Sequence, residues 1–428
     1  MPSSAIRQLD IAPESSYMSR GADGEPDPSG LEWEACELAD ASAVVAIGST
    51  QTLDYNTATG GFGRPVGEAL IDPVSGNPVR SGTMTIDWYL RGGIYGGSTN
   101  AGLRWLLSSR LLAQSNNAVV GAASVTTGGV VTVTGGTSVK GRPLAYTYGD
   151  GRVTYGIASN TSGANLPTRT YGAAITGRGI VPASSGTALI SQWVQPATGA
   201  DPITYGENTV ALRLTGDGWQ QLIFGASMTA LTISADGDGR AIRLSATVDC
   251  PYVVDVDPGD IVTPNWPDLL DGPVLHALGS PAVVGAAYDN ANGSTAPCIS
   301  TWSVGLTWTT AGSACGSYWS GRAPLEATAL DTQISITIGH PAEDLRQILA
   351  SYWKAGSQFG LELPFGGDLS ASASPRPWGG AIIIPAAYVT SGDVLIQDLS
   401  GDAIQTTATL AAGTPADASI PLLSLVLI

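Results

Sequence analysis

Four cysteines, two histidines and a few acidic clusters are the residues of this 428-residue chain whose types and spacing invite a chemical reading. Cys36, Cys250, Cys298 and Cys315 form no CxxC pair, and only His276 and His340 are available as nitrogen ligands, so a zinc site is not expected. Free buried thiols are the expected state, with a Cys298 to Cys315 disulfide as the alternative. Cys315 to Trp319 (CGSYW) has the outline of a papain-like signature, but Tyr318 stands where the nucleophilic cysteine belongs. No GxSxG elbow, HExxH pair or Walker loop occurs, and no GxGxxG opens a helix. His340 precedes Pro341 at a helix start and is read as structural. Asp236 and Asp238 in ADGDGR lack the downstream acidic ligand of a calcium loop and read as a tight turn. Asp255, Asp257 and Asp260 lie in a Pro- and Asp-rich stretch, Asp255 to Gly272, with the composition of a solvated linker. Trp302 and Trp308 are six apart on one strand-like run, hence on one face. They suit core or interface packing, with a sugar-stacking face as the alternative. No residue is assigned a catalytic, cofactor-binding or metal-binding role, no cofactor is expected, and the chain is not expected to be an enzyme.

The elements that would carry such residues recur in order. Thr83 to Leu90 (TMTIDWYL) alternates Met84, Ile86, Trp88 and Leu90 with polar residues, and Gln333 to Ile338 repeats the pattern with Ile334, Ile336 and Ile338. Each strand precedes a predicted helix, Gly102 to Gln114 and Ala342 to Ala355. Leu103, Leu106, Leu107 and Leu111 of the first align with Leu345, Ile348, Leu349 and Trp353 of the second, an apolar stripe at helical spacing. Pro341 and Gly356 bracket the second helix. Gly239 to Thr247 (GRAIRLSAT) and Gly401 to Thr409 (GDAIQTTAT) share five of nine residues, and each reads as the return arm of a hairpin. The spacing between helix and hairpin is longer in the first copy, and the excess falls at 115–202, in Gly-, Ser-, Thr- and Val-rich runs such as Gly129 to Thr134. The expected division is an N-terminal arm at 1–30, a first β domain at 31–258 with a β-rich insertion at about 115–202, a linker at 259–280 and a second β domain at 281–428.

Composition points to an assembly subunit. Charged residues are 13% of the chain, beside 55 glycines and 27 prolines, so much of the surface is left for another subunit to cover. Only Lys140 and Lys354 are lysines among 19 basic residues, a bias toward arginine that suits interfaces and equally suits a codon preference. The net charge of −17 argues against a nucleic-acid-binding surface, which needs clustered cations. No run reaches the length of a membrane helix, and the first 23 residues lack a signal-peptide core. Pro421 to Ile428 (PLLSLVLI) reads as a buried closing strand.

This order of elements resembles the tail tube (major tail) proteins of tailed bacteriophages. The matching segments are TMTIDWYL with GLRWLLSSRLLAQ and MTALTISADGDGRAIRLSATV, then TQISITI with AEDLRQILASYWKA and DVLIQDLSGDAIQTTATL. Ser42 to Leu53 and Ser300 to Thr310 form the candidate opening strands. The resemblance covers roughly a third of the chain and carries no diagnostic motif. It implies a mainly β fold of two tandem β-sandwich or barrel domains, each with one flanking helix. It also implies a structural virion protein, assembled in the host bacterial cytoplasm, whose homotrimeric rings stack into a hollow tail. The implied partners are the chain itself and the tape measure, tail terminator and distal tail proteins, with DNA passing an acidic lumen unbound and no membrane involved. Glycine-rich loops such as Thr57 to Pro73 would reach the next ring, and Asp87 lies on the polar side of its strand. The competing readings are a surface-exposed β adhesin or carbohydrate-binding module, or another virion part such as a decoration or baseplate protein.

Overall fold

The computed structural model describes residues 6–15, 17–18, 26–36, 45–47, 53–54, 64–65, 80–90, 101–116, 123–125, 130–133, 143–147, 153–157, 165–167, 190–195, 209–235, 241–257, 259–262, 275–277, 282–285, 299–312, 323–339, 343–366, 379–392, 405–415 and 421–427. Among them the chain is mainly β with two helices. The first half holds β1 (Ile6–Pro13), β2 (Glu34–Cys36), β3 (Val45–Ile47), β4 (Leu53–Asp54), β5 (Arg64–Pro65), β6 (Arg80–Tyr89) and α1 (Ala101–Ser108). There follow β7 (Leu112–Asn116), β8 (Ala123–Val125), β9 (Val130–Val133), β10 (Pro143–Thr147), β11 (Val153–Ile157), β12 (Asn165–Pro167) and β13 (Ile190–Gln195). Next come β14 (Val210–Gly216), β15 (Gln220–Ser234) and β16 (Arg243–Asp255). The second half holds β17 (Ala282–Gly285), β18 (Ile299–Ala311), β19 (Glu326–Gly339), α2 (Glu343–Ala355), β20 (Phe359–Gly366), β21 (Gly379–Val389), β22 (Gln405–Ala412) and β23 (Leu423–Leu427).

Sixteen strands join one antiparallel sheet, and its two halves are wired alike. In the first, β1, β14, β15, β16, β6 and β3 lie side by side; in the second, β17, β20, β21, β22, β19 and β18 do. The registers correspond residue by residue. Met84 pairs with Val45 and Val248, as Ile334 pairs with Val304 and Leu410. Leu212 pairs with Ile11 and Ile223, as Leu361 pairs with Val283 and Ile384. Both β14 and β20 carry a register shift at the matching place, beside Val210 and Phe359. A bulge frees backbone groups from the ladder, and those groups need other partners. At β15 the shift beside Met228 leaves Thr229 to donate its hydroxyl to the Thr247 carbonyl at 3.2 Å, and Thr390 donates to Thr409 at 2.9 Å. The helices match too: Ser109 Oγ donates to the Leu106 carbonyl and Ser351 Oγ to that of Ile348.

The strand alternation buries one apolar row across both halves: Trp88, Leu244, Ile233, Val304, Ile334 and Leu410 are cross-strand neighbours and all buried. The helices add Leu103, Leu106, Leu107 and Leu349 to the same core, and Leu111 just past α1 joins them. Burying each such side chain is worth about 1.5–3 kcal/mol.

Several expectations are corrected. Ile6–Pro13, assigned to a separate N-terminal arm, is strand β1, paired along β14 with Leu9 and Ile11 fully buried. The first helix ends at Ser108 rather than Gln114, because Ser109 bonds back to its own turn and Leu112–Asn116 pairs with β13. Within the expected linker, Leu275 is buried and bonded to Leu90 and Ile242, so that residue belongs to the core. The residues 190–195 of the expected insertion pair with β23 of the second half. Trp353, expected on the buried stripe of α2, is exposed. The closing strand is present as β23, with Leu423 and Leu425 buried.

Candidate functional site

Among the described residues the chemistry-bearing side chains form no cluster that could hold a metal ion. Cys36 and Cys250 are buried free thiols, whereas Cys298, Cys315 and Tyr318 lie outside the described residues, as do His340, Asp236 and Asp238. His276 sits at a β-bridge with Ala241. Asp255 accepts a bond from Gln221 Nε2 at 2.9 Å at the end of β16, while Asp257 and Asp260 share an exposed turn. Trp302 and Trp308 are buried on the core face, so their rings are not offered to a sugar.

What the sheet does present is a polar face that runs without a break from the first half to the second. The join is β15 against β18, where Ala230, Thr232 and Ser234 sit opposite Thr307, Gly305 and Ser303. One row across the face reads Asp87, Ser245, Thr232, Gly305 and Gln333; another reads Thr85, Thr247, Ala230, Thr307 and Asp331. A third carries Tyr89, Arg243, Ser234, Ser303 and Ser335. The face owes its existence to the period of two: each hydroxyl residue alternates with a core aliphatic on the same strand. In these rows the charges are Asp87, Arg243 and Asp331, and Arg243 Nη2 lies 2.8 Å from Asp87 Oδ2. The face is thus one of hydroxyls with one ion pair and the carboxylate of Asp331.

Behind the join sits a buried cation that sequence reasoning missed. Arg110, just past α1, donates from Nε to the Met228 carbonyl at 2.6 Å, from Nη2 to Ser227 Oγ at 3.2 Å and from Nη1 to the Leu325 carbonyl at 3.1 Å. Met228 N in turn donates to Ser109 Oγ at 3.2 Å. The end of α1 therefore satisfies the backbone groups released by the β15 bulge, and Arg110 ties that bulge to the segment entering β19. Burial pulls the guanidinium down to about 10, opposed by the charge of Asp249. The signal in the sequence was an arginine beside the last leucine of an apolar helical stripe, which usually reads as a solvated C-terminal charge.

A second polar knot lies at the end of β1. The Glu14 carboxylate accepts from the backbone N–H groups of Gly225 at 3.0 Å and Met18 at 3.2 Å, and from the Thr209 hydroxyl. Gly225 has φ of +68°, a left-handed conformation that favours glycine, where the strand passes the Tyr17 ring. Burial pushes Glu14 up to about 7, against the opposing pull of these hydrogen bonds.

No protein-family profile matches the chain, and no curated protein matches it.

Proposed function

We propose that this chain is a structural subunit of a phage tail tube, built from a tandem duplication of one β domain, and that its work is physical rather than catalytic. The observation that carries this reading is the unbroken sheet across β15 and β18, with matched registers on either side and one hydroxyl face throughout. A conduit wall needs such continuity, because each free strand edge is a place for pairing and aggregation that closure removes. Two domains per chain make three chains a ring with sixfold pseudo-symmetry. The hydroxyl face would be the lumen: threonine and serine stay hydrated, and the arginine in the three rows, Arg243, is paired with Asp87 rather than offered to passing phosphates. In the virion its partners would be further copies and the tail's tape measure, terminator and distal proteins.

Purified chain at rising concentration is expected to give rings of three-chain mass, then hollow tubes, in mass photometry and negative-stain microscopy. A one-chain mass at every concentration would sink the reading and favour a monomeric adhesin or glycan-binding module.

Asp87→Lys tests the wall. It sets a second cation beside Arg243 and repeats that pair around each ring. Tubes of the variant are expected to retain DNA in co-sedimentation at about 0.05 M salt and release it toward about 0.2 M, with wild-type tubes retaining none. Equal retention by both would show that this face is not the one DNA meets.

A further inference from the structure

The sheet buries a second apolar cluster on the face away from the main core, under a turn that is fastened by one acid. Along β15 and β16 the alternation sends Ile223 and Val253 into the main core and Phe224, Tyr252 and Val254 to the other side, where they meet Ala211 of β14. Over them lies the chain between β1 and β2, with Met18 fully buried and Tyr17, Leu31 and Trp33 packed beside it. The far end of this cover is held by strand pairing and by a stacked cation. Glu34–Cys36 pairs with β1, and the Arg213 guanidinium lies 4.7 Å over the Trp33 ring while bonding to Asp10 at 2.8 Å. The near end turns on the Glu14 carboxylate, which gathers the N–H groups of Met18 and Gly225 and the Thr209 hydroxyl. Met18 stands at φ +65°, a left-handed conformation that a residue with a Cβ rarely adopts, and the bond from its N–H to Glu14 helps hold it there.

We propose that Glu14 is a proton-operated latch: with its carboxyl protonated the turn stays down and Met18 plugs the Phe224 and Tyr252 floor, and on ionisation the turn lifts and opens that floor to water. A charged carboxylate is costly in a site so closed to water, and the three donors offset only part of that cost, so the closed turn holds its proton up to about 7 instead of 4.5. The other titratable and charged side chains described on the elements packed here are Tyr17 on the turn, Asp10 on β1, Arg213 on β14, and Asp249, Tyr252 and Asp255 on β16. The described bonds of Glu14 go to none of them, and its shift comes from burial and hydrogen bonds rather than from a neighbouring charge. In the lifted turn the carboxyl meets water and returns to its ordinary range. Opening is therefore favoured progressively as pH rises from about 4.5 and levels off above about 7, a gain on the order of 50-fold between pH 5 and pH 8. The latch is a property of one chain, and it goes beyond the tube reading without depending on it.

Oxidation of Met18 by hydrogen peroxide reads the lift directly. Neither a thioether nor peroxide titrates between pH 5 and pH 8, and a buried sulfur has to be uncovered before it becomes a sulfoxide. The full-length chain is treated with dilute peroxide across that range, and peptide mass spectrometry gives the rate at each methionine. Met84 and Met228, buried in the main core, report unfolding of the whole protein. Met18 is expected to oxidise faster by something on the order of 50-fold at pH 8 than at pH 5, ahead of Met84 and Met228. Glu14→Gln, which keeps an acceptor but cannot ionise, is expected to give one Met18 rate throughout. A wild-type Met18 rate that does not change with pH overturns the proposal, as does a rise that the glutamine variant shares or that Met84 and Met228 follow in step. Should the glutamine variant fail to fold, Thr209→Val takes its place. It removes a hydrogen bond that favours the charged carboxylate, so the pH at which the Met18 rate levels off moves up, and a plateau at the wild-type pH overturns the proposal.

Discussion

Arg110→Ala is expected to lower stability by about 3–5 kcal/mol and Tm by about 3–6 °C. The loss is large because the side chain is buried and its bonds to the Met228 carbonyl and Ser227 hydroxyl are themselves buried. Truncation leaves the carbonyls of Met228 and Leu325 without this donor, and Asp249 without its nearby cation. Lysine in place of Arg110 recovers only part of the loss, since one ammonium cannot span the planar fork from Met228 to Leu325. Calorimetry of the wild type, Arg110→Ala and Arg110→Lys reads the series. A cost under about 1 kcal/mol for the alanine variant would mean that the join of the two halves does not depend on this residue.

The stability of the protein is expected to fall as pH rises from about 4.5 to about 7, through Glu14. The sign follows from the direction of the shift. Burial raises the folded value above the unfolded one, so the native state holds the proton more tightly, and that contribution is complete below 4.5 and lost as pH passes about 7. A shift of this size corresponds to something on the order of 3 kcal/mol between the ends of the window. Glu14→Gln keeps an acceptor for Gly225 and Met18 but cannot ionise. The Tm of the variant relative to wild type should therefore climb between pH 5 and pH 8, and a difference that stays constant across that range would refute the assignment.

Much of this architecture is legible in the sequence because it rests on alternation. TMTIDWYL and TQISITI fall in β6 and β19, and the RLSAT and QTTAT ends of the two repeated arms lie in the strands beside them, where Met84 pairs with Val248 and Ile334 with Leu410. The outer strands are not legible. β1 and β17 share no run of identical residues, and β14 and β20 share only the short alternations Leu212 with Leu214 and Leu361 with Leu363, too brief to stand out in a chain rich in Ala and Val. The end of α1 is misjudged for a definite reason: the apolar spacing runs through Leu111, but a serine hydroxyl and a buried arginine turn the chain toward β15. The exposure of Trp353 is equally invisible, since periodicity marks an apolar position without saying whether its cover comes from the same chain. The hydroxyl face is a property of five strands that come from distant parts of the sequence, and their lateral order is not written in any one of them.

The return strand of the first half is continuous as β16, whereas its counterpart in the second is divided into β22 and β23, and β23 also receives β13 from the first half. This gives synthesis on the ribosome a particular order. Ile190–Gln195 leaves the exit tunnel long before Leu423–Leu427 exists, so the first half cannot complete its hydrogen bonding while the second is still being made. Pairings this distant in sequence form slowly and leave strands open in the meantime. The protein is therefore held back from its finished shape until late in translation.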